Sequence, residues 1–264
     1  MFVYAIFFLV SFFASIIGAI CGIGGGVIIK PVLDSFGVLS VSSIGFLSGC
    51  TVLAMSCYSV IRSKCSKASS IDMATATPLA IGGAIGGIAG KSLYQWVVSL
   101  FSTPNTIGAV QAILLGLVTL FTLLYTIKKD KIKTYELKSF ILCLIVGFFL
   151  GILSSFLGIG GGPINLVVLY FFFSMSTKVA AQNSLYIILF SQAANLLMTI
   201  FTHSIPDVSA WILMGMILCG IFGGMVGRMI NKKINDEIVD KLFIALMAVI
   251  IVINIYNTFK YLGI

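Results

Sequence analysis

Gly22-Ile23-Gly24-Gly25-Gly26, with Lys30-Pro31 a few residues further on, lies inside an apolar run that starts at Met1. The pattern returns 136 residues later as Gly158-Ile159-Gly160-Gly161-Gly162-Pro163, inside the first long apolar run of the second half. Each glycine costs a helix about 1 kcal/mol relative to Ala. In lipid, a broken helix also leaves N–H and C=O groups without partners. A break present in both halves points to function, because many transporters hold substrate at broken helices near the bilayer midplane. The competing reading is close helix packing, which favours small residues three apart rather than in a row.

Composition sets the class. The 264 residues are 59% hydrophobic and 9% charged, with a mean hydropathy of +1.16; soluble domains are about a quarter charged. Eight windows of at least 18 residues contain no Asp, Glu, Lys or Arg: 1–29, 35–61, 73–90, 92–127, 139–177, 179–206, 208–227 and 242–259. Each is long enough to span the hydrocarbon core as a helix. The runs are continuously apolar, which excludes the alternation of barrel strands. The expected fold is all-α, a polytopic integral protein of the cell membrane. No basic segment precedes Phe2 and no small-x-small cleavage site closes the first run, so the N-terminal run is expected to be retained.

Several function classes drop out. The six cysteines form no C-x-x-C pair and no metal-ligand spacing, so a structural role is expected for them. His203, the single histidine, falls near Pro206 at a predicted helix end and reads as a surface residue. No nucleophile-with-base arrangement is visible, and the glycine runs lack the Lys-Ser/Thr of a phosphate loop. We expect no catalytic residues, no metal, no cofactor, no nucleic-acid partner and no enzyme activity. The net charge of +8 lies mostly in loops, where it reports topology and anionic lipid. No Asp or Glu falls deep within an apolar run, so an acidic ion relay is not visible.

The halves superpose. A shift of 136 aligns Phe12-Phe13 with Phe148-Phe149 and Ser48 with Ser184. A shift of 137 aligns Gly83-x-x-Gly86-Gly87-x-x-Gly90-Lys91 with Gly220-x-x-Gly223-Gly224-x-x-Gly227-Arg228. We divide the chain into a four-element repeat at 1–127, a basic cytoplasmic linker at 128–138 and a second four-element repeat at 139–264. The first element of each repeat is broken at its glycine run. The others fall near 41–61, 74–90 and 107–127, with a turn at Thr103-Pro104-Asn105, and near 179–201, 208–228 and 238–259. The faces Gly83, Gly87, Gly90 and Gly220, Gly224, Gly227 read as close-packing seams.

Charge bears on orientation. If every element crosses once, the halves are parallel and the basic residues divide nine to seven between the two sides. If each broken element returns to the side it entered, the halves are inverted. One side then collects Arg62, Lys64, Lys67, the five lysines of 128–138, Lys178, Arg228, Lys232, Lys233 and Lys241, thirteen residues, and the other keeps Lys30, Lys91 and Lys260. The second division is what the positive-inside rule expects. A continuous helix over 139–177 would also be about 58 Å long, nearly twice the ~30 Å core. Inverted repeats are therefore preferred over parallel ones, although Lys91 and Arg228, which match in the alignment, would then face opposite sides.

A glycine turn feeding a short helix offers backbone N–H groups and a positive dipole end to an anion. The candidate substrate contacts are Gly22, Gly24, Gly25 and Gly26 in the first turn and Gly158, Gly160, Gly161 and Gly162 in the second. Lys30 reads either as a cavity lysine facing an anion or as a snorkelling one. Asn165 lies just past the second turn. Asn183, Ser184, Gln192 and Asn195 in the following element, with Ser48 and Thr51 in its counterpart, can bond either an oxyanion or a neighbouring helix.

With these residues in view, the chain resembles the sulfite exporter TauE/SafE family of membrane permeases. The resemblance rests on Gly22-x-Gly24-Gly25-Gly26 with Pro31, on Gly158-x-Gly160-Gly161-Gly162, on the duplicated halves and on their glycine-rich third elements, and it covers essentially the whole chain. It implies transport of a small anion such as sulfite, a sulfonate or a sulfur-containing organic acid. Pro163 departs from the first copy, which has Val27 there, so the two half-sites are expected to differ in shape. The different-class alternative is a non-transporting scaffold or assembly subunit. Substrate identity, direction, coupling ion and a homo-oligomeric state stay open at this point.

Overall fold

The computed structural model describes residues 2–65, 71–100, 104–159 and 161–263; Lys67, Thr103 and Gly160 lie outside them. The described residues form α1 (Phe2–Cys21), α2 (Gly26–Phe36), α3 (Val41–Lys64), α4 (Met73–Leu100), α5 (Pro104–Lys128), α6 (Phe140–Leu157), α7 (Pro163–Phe173), α8 (Thr177–Phe201), α9 (Ala210–Lys233) and α10 (Asp236–Leu262). No strand occurs among them. All but α2 and α7 are long and apolar enough to cross a membrane.

Local chemistry explains most of the boundaries. α1 ends where Gly22, Gly24 and Gly25 take φ of 77°, 79° and 61°, which no L-residue adopts readily. α6 ends on Gly158 as a left-handed C-cap, and α7 starts on Pro163, whose missing N–H needs no partner at a first turn. Ser40 caps α3 by accepting the Ser43 amide at 3.1 Å, and Asn235 caps α10 through the Ile238 amide at 3.0 Å. α4 departs most from expectation, running ten residues past Gly90. The apolar window stops at Lys91, but one lysine whose ammonium faces protein does not end a helix.

Both broken elements double back. The backbone of Gly25 returns to lie against Ala14 and Ser15 of α1. Ile29 and Leu33 of α2 then share a buried cluster with Phe7 and Ala14. In the second hairpin, the Tyr135 and Leu137 amides, just before α6, donate to the Phe171 and Phe172 carbonyls at the end of α7, at 2.8 and 2.9 Å. The chain thus leaves each hairpin close to where it entered.

Between the halves, α4 lies along α6 and α8, and α9 along α1 and α3. The seams are doubled rather than single. Gly82, Gly86 and Gly90 abut the backbone of α6 at Leu144, Phe148 and Ile152, whereas Gly83 and Gly87 face Ile187 and Ser191 of α8. In α9, Gly223 and Gly227 abut Phe12 and Ile16, and Gly220 and Gly224 face Thr51 and Met55. The stripe expected through Gly83, Gly87 and Gly90 is therefore two adjacent stripes, because residues four apart on a helix share a face more closely than residues three apart.

At one end of the bundle, Lys129 in a 3-10 turn (Lys129–Lys131) pairs with Asp240 at 2.5 Å and donates to the Thr177 hydroxyl at 3.1 Å. This ties the basic linker to α8 and α10. The same end carries Ser63 donating to Gln182 at 2.8 Å. The other end carries the Lys260 ammonium on the Asp34 and Ser35 carbonyls. His203 is exposed in a turn, and the cysteines are free.

Candidate functional site

The two glycine turns meet at the centre of the protein. Gly26 lies against the carbonyl of Ile159, Gly162 against the side chain of Val27, and both Gly24 and Gly161 face Ile188 of α8. Contacts this close leave no room for a side chain. The turns are lined by buried Ile23, Val27 and Ile159, and several of their amides are already engaged. Gly22 and Ile23 donate to the Gly18 carbonyl, Gly26 to Gly24, Gly158 to Ser155 and Ile159 to Ser154.

Polar space opens beside the second turn. A cavity of about 50 Å³ is walled by Lys30, Lys91, Gln111, Ser155, Gly158 and Gln192, with Gly45, Gly49 and Asn195 among the rest. These residues come from α2, α3, α4, α5, α6 and α8, so the cavity exists only once those six helices are packed together. Lys30 is only 4% exposed. Its ammonium donates to Gln111 Oε1 at 2.8 Å and to Asp34 Oδ2 at 3.5 Å. It lines the cavity, with its ammonium held by protein partners. Gln111 in turn donates from Nε2 to the Phe156 carbonyl at 2.5 Å, satisfying a group that the break in α6 leaves free.

Lys91 makes no ion pair among the described residues; its ammonium stands 5.6 Å from the centroid of the Tyr94 ring. Gln192 Nε2 and Ser155 Oγ are buried without a partner among the described residues. A buried donor without a partner costs about 1–3 kcal/mol, so both call for a ligand or water. With Asp34 offsetting Lys30, Lys91 leaves the cavity net positive. A net positive lining with unpartnered donors has the chemistry to form charge-assisted hydrogen bonds.

Of the residues singled out from sequence, the structure brings Lys30, Gly158, Gln192 and Asn195 together in this cavity. It places Gly22, Gly24, Gly25, Gly26, Gly161 and Gly162 in the turns behind it, and Gly160 is outside the described residues. Ser48 and Ser184 are fully buried with hydroxyls unpartnered among the described residues. Thr51 donates to the Leu47 carbonyl at 2.8 Å, and Asn165 is buried behind Gly161. Asn183 accepts the Asp72 amide at 3.1 Å and donates to the Val179 carbonyl, so it anchors the start of α4. Lys91, Gln111, Ser155 and Asp34 escape the sequence reading. Asp34 sits at the edge of an apolar window, and only its i,i+4 spacing from Lys30 signals a pair on one helix face. Lys91 reads as a helix end.

A family model described as sulfite exporter TauE/SafE matches residues 7–253 of the chain. Comparison with curated proteins and with solved structures returns no match.

Proposed function

The chain belongs to the sulfite exporter TauE/SafE family, and from that premise we propose that it carries a small oxyanion through the Lys30–Lys91 cavity. The family is one of membrane transporters for sulfite or related anions, not of enzymes, and the eight long apolar helices make this chain a multi-pass membrane protein. Sulfite, a sulfonate or a related organic acid is the substrate class we assign. The observation that carries the site is the cavity itself: Lys30, held by Asp34 and Gln111, stands with Lys91 and the unpartnered Gln192 amide beside a glycine turn. The N-termini of α2 and α7 add their positive ends from the meeting point of the turns.

In this reading the two halves are inverted repeats. Each glycine hairpin returns to its own side, leaving three net crossings per half. The contacts of Ser63 with Gln182, Lys129 with Asp240 and Arg228 with the Ser59 carbonyl then fall on one basic face. Lys91 and Arg228 occupy opposite sides, as inversion requires.

Sulfite flux into proteoliposomes tests the site. We expect Lys91→Gln to lower flux at least tenfold in correctly folded protein and Lys91→Arg to keep most of it. Parental flux in Lys91→Gln removes the cavity from the mechanism.

A further inference from the structure

A second cavity, of about 330 Å³, lies between α1, α3, α8 and α9. Shifting its lining by 136 residues, or by 137 in α9, lands on the lining of the Lys91 cavity for seven of its eight residues, all but Lys232. Thus Arg228 stands where Lys91 stands, Asn231 where Tyr94 does, Ser59 where Asn195 does and Gln182 where Phe46 does. The cavities sit at opposite ends of the α3–α8 contact. On α3 the first takes Gly49 and the second Ser59, ten residues or about 15 Å apart. Buried Val52, Met55 and Ile188 fill the interval, and the glycine turns rest on Ile188.

Arg228 donates from Nη1 to the Ser59 carbonyl at 3.0 Å, while its Nε and the Ser59 hydroxyl are buried without partners among the described residues. No carboxylate pairs with Arg228 or Lys232 among those residues. A guanidinium with an unpartnered Nε offers a planar fork that matches a planar or pyramidal oxyanion better than an ammonium does. We propose that the Arg228 cavity is a second anion-binding vestibule, which receives the oxyanion on the basic side of the apolar interval that separates it from the Lys91 cavity. This rests on the reading that the chain moves small anions.

The test uses a reporter thiol rather than transport. In purified full-length protein, Gln182→Cys is modified by methanethiosulfonates carrying either a sulfonate or a trimethylammonium group, and the labelling of the parent protein is subtracted. We expect the sulfonate reagent to react faster. Arg228→Gln should lower the sulfonate-to-ammonium rate ratio about tenfold, the effect of one charge on two opposite reagents at about 6 Å in water, and Arg228→Lys should preserve it. Independently of any Arg228 variant, methanesulfonate should slow the sulfonate reagent. A ratio indifferent to Arg228→Gln, or no protection by methanesulfonate, overturns the vestibule. Sulfite flux measured alongside separates the two ideas. An Arg228-dependent ratio in a protein that moves no anion keeps the vestibule and removes the transport reading; flux with an indifferent ratio does the reverse.

Discussion

Half-helices α2 and α7 are both eleven residues long and both follow a glycine turn, yet α2 carries Lys30 and Asp34 where α7 carries Leu166 and Tyr170. The carbonyl exposed at the end of each preceding helix is satisfied differently too. Asn231 of α9 donates to Ile20 at 2.6 Å, and Gln111 of α5 donates to the equivalent Phe156. Pro31 lies inside the continuous α2 and its carbonyl accepts from Asn257 Nδ2 at 2.8 Å, whereas Pro163 opens α7 at a first turn, where its missing N–H displaces no hydrogen bond. The place of the break is shared between the copies; its torsions, with φ of 61° at Gly25 and 113° at the matching Gly161, and its charge are not. A helix break needs only glycine, so duplicating the sequence duplicates the break. The ion pair sits within α2 itself, and α7 lacks it because its matching positions are Leu166 and Tyr170.

The largest expected effect breaks this asymmetry at its source. Lys30→Met leaves Asp34 buried without its ammonium and should cost about 3–5 kcal/mol, read as a lowered unfolding temperature of the purified protein. Lys30→Met with Asp34→Asn should recover most of that loss, and Leu166→Met, the matching change in α7, should cost less than about 1.5 kcal/mol. If Leu166→Met is the more damaging, the two half-helices are not distinguished by charge.

Smaller effects are expected at the turns. Gly25→Ala and Gly161→Ala force Ala to φ of 61° and 113°, each costing about 1–3 kcal/mol. Gly161→Ala should be the worse, because its methyl meets Ile188, whereas at Gly25 the nearest atom is the Ala14 carbonyl oxygen at 3.1 Å. Ile188→Ala should partly rescue Gly161→Ala and leave Gly25→Ala unrelieved. Rescue of both in thermal unfolding would mean that the turns share a single constraint.

The smallest difference sharpens the comparison of the two carbonyl caps. Asn231→Leu removes one neutral hydrogen bond, about 1 kcal/mol, while Gln111→Leu also removes the acceptor of Lys30, about 2 kcal/mol in all. Hydrogen exchange at the ends of α1 and α6 should rise in the respective variants. Equal losses would show that the bond from Lys30 to Gln111 contributes little.

Most of the helices were legible from the order of residues. Expected and observed elements agree within a few positions for α3, α5, α8 and α10, and the helices stop at the glycine runs. The misreading of α4 came from treating Lys91 as a boundary, since hydropathy counts a charge without knowing where its side chain points. Of the site, Gly158 could be singled out by its glycine run, and Lys30, Gln192 and Asn195 as polar residues near a break or in the helix that follows one. Ser155 and Gln111 are polar residues in apolar runs as well, and only the packing of α5 and α6 beside α2 marks them out.

Membrane-spanning helices, the number of segments long enough to cross and the places where two of them break can be read from residue order alone. Those properties depend on residues close together in the chain, through the apolar length a bilayer demands and the φ angles glycine permits. That the glycine turns close on Ile188 rather than on open space, and that Lys91 and Lys30 share one cavity while Arg228 lines another, emerges only in the packed fold. Such placements depend on packing between helices α1 to α6 with α8 and α9, whose residues lie far apart in the chain, and local pattern carries no record of which faces will meet.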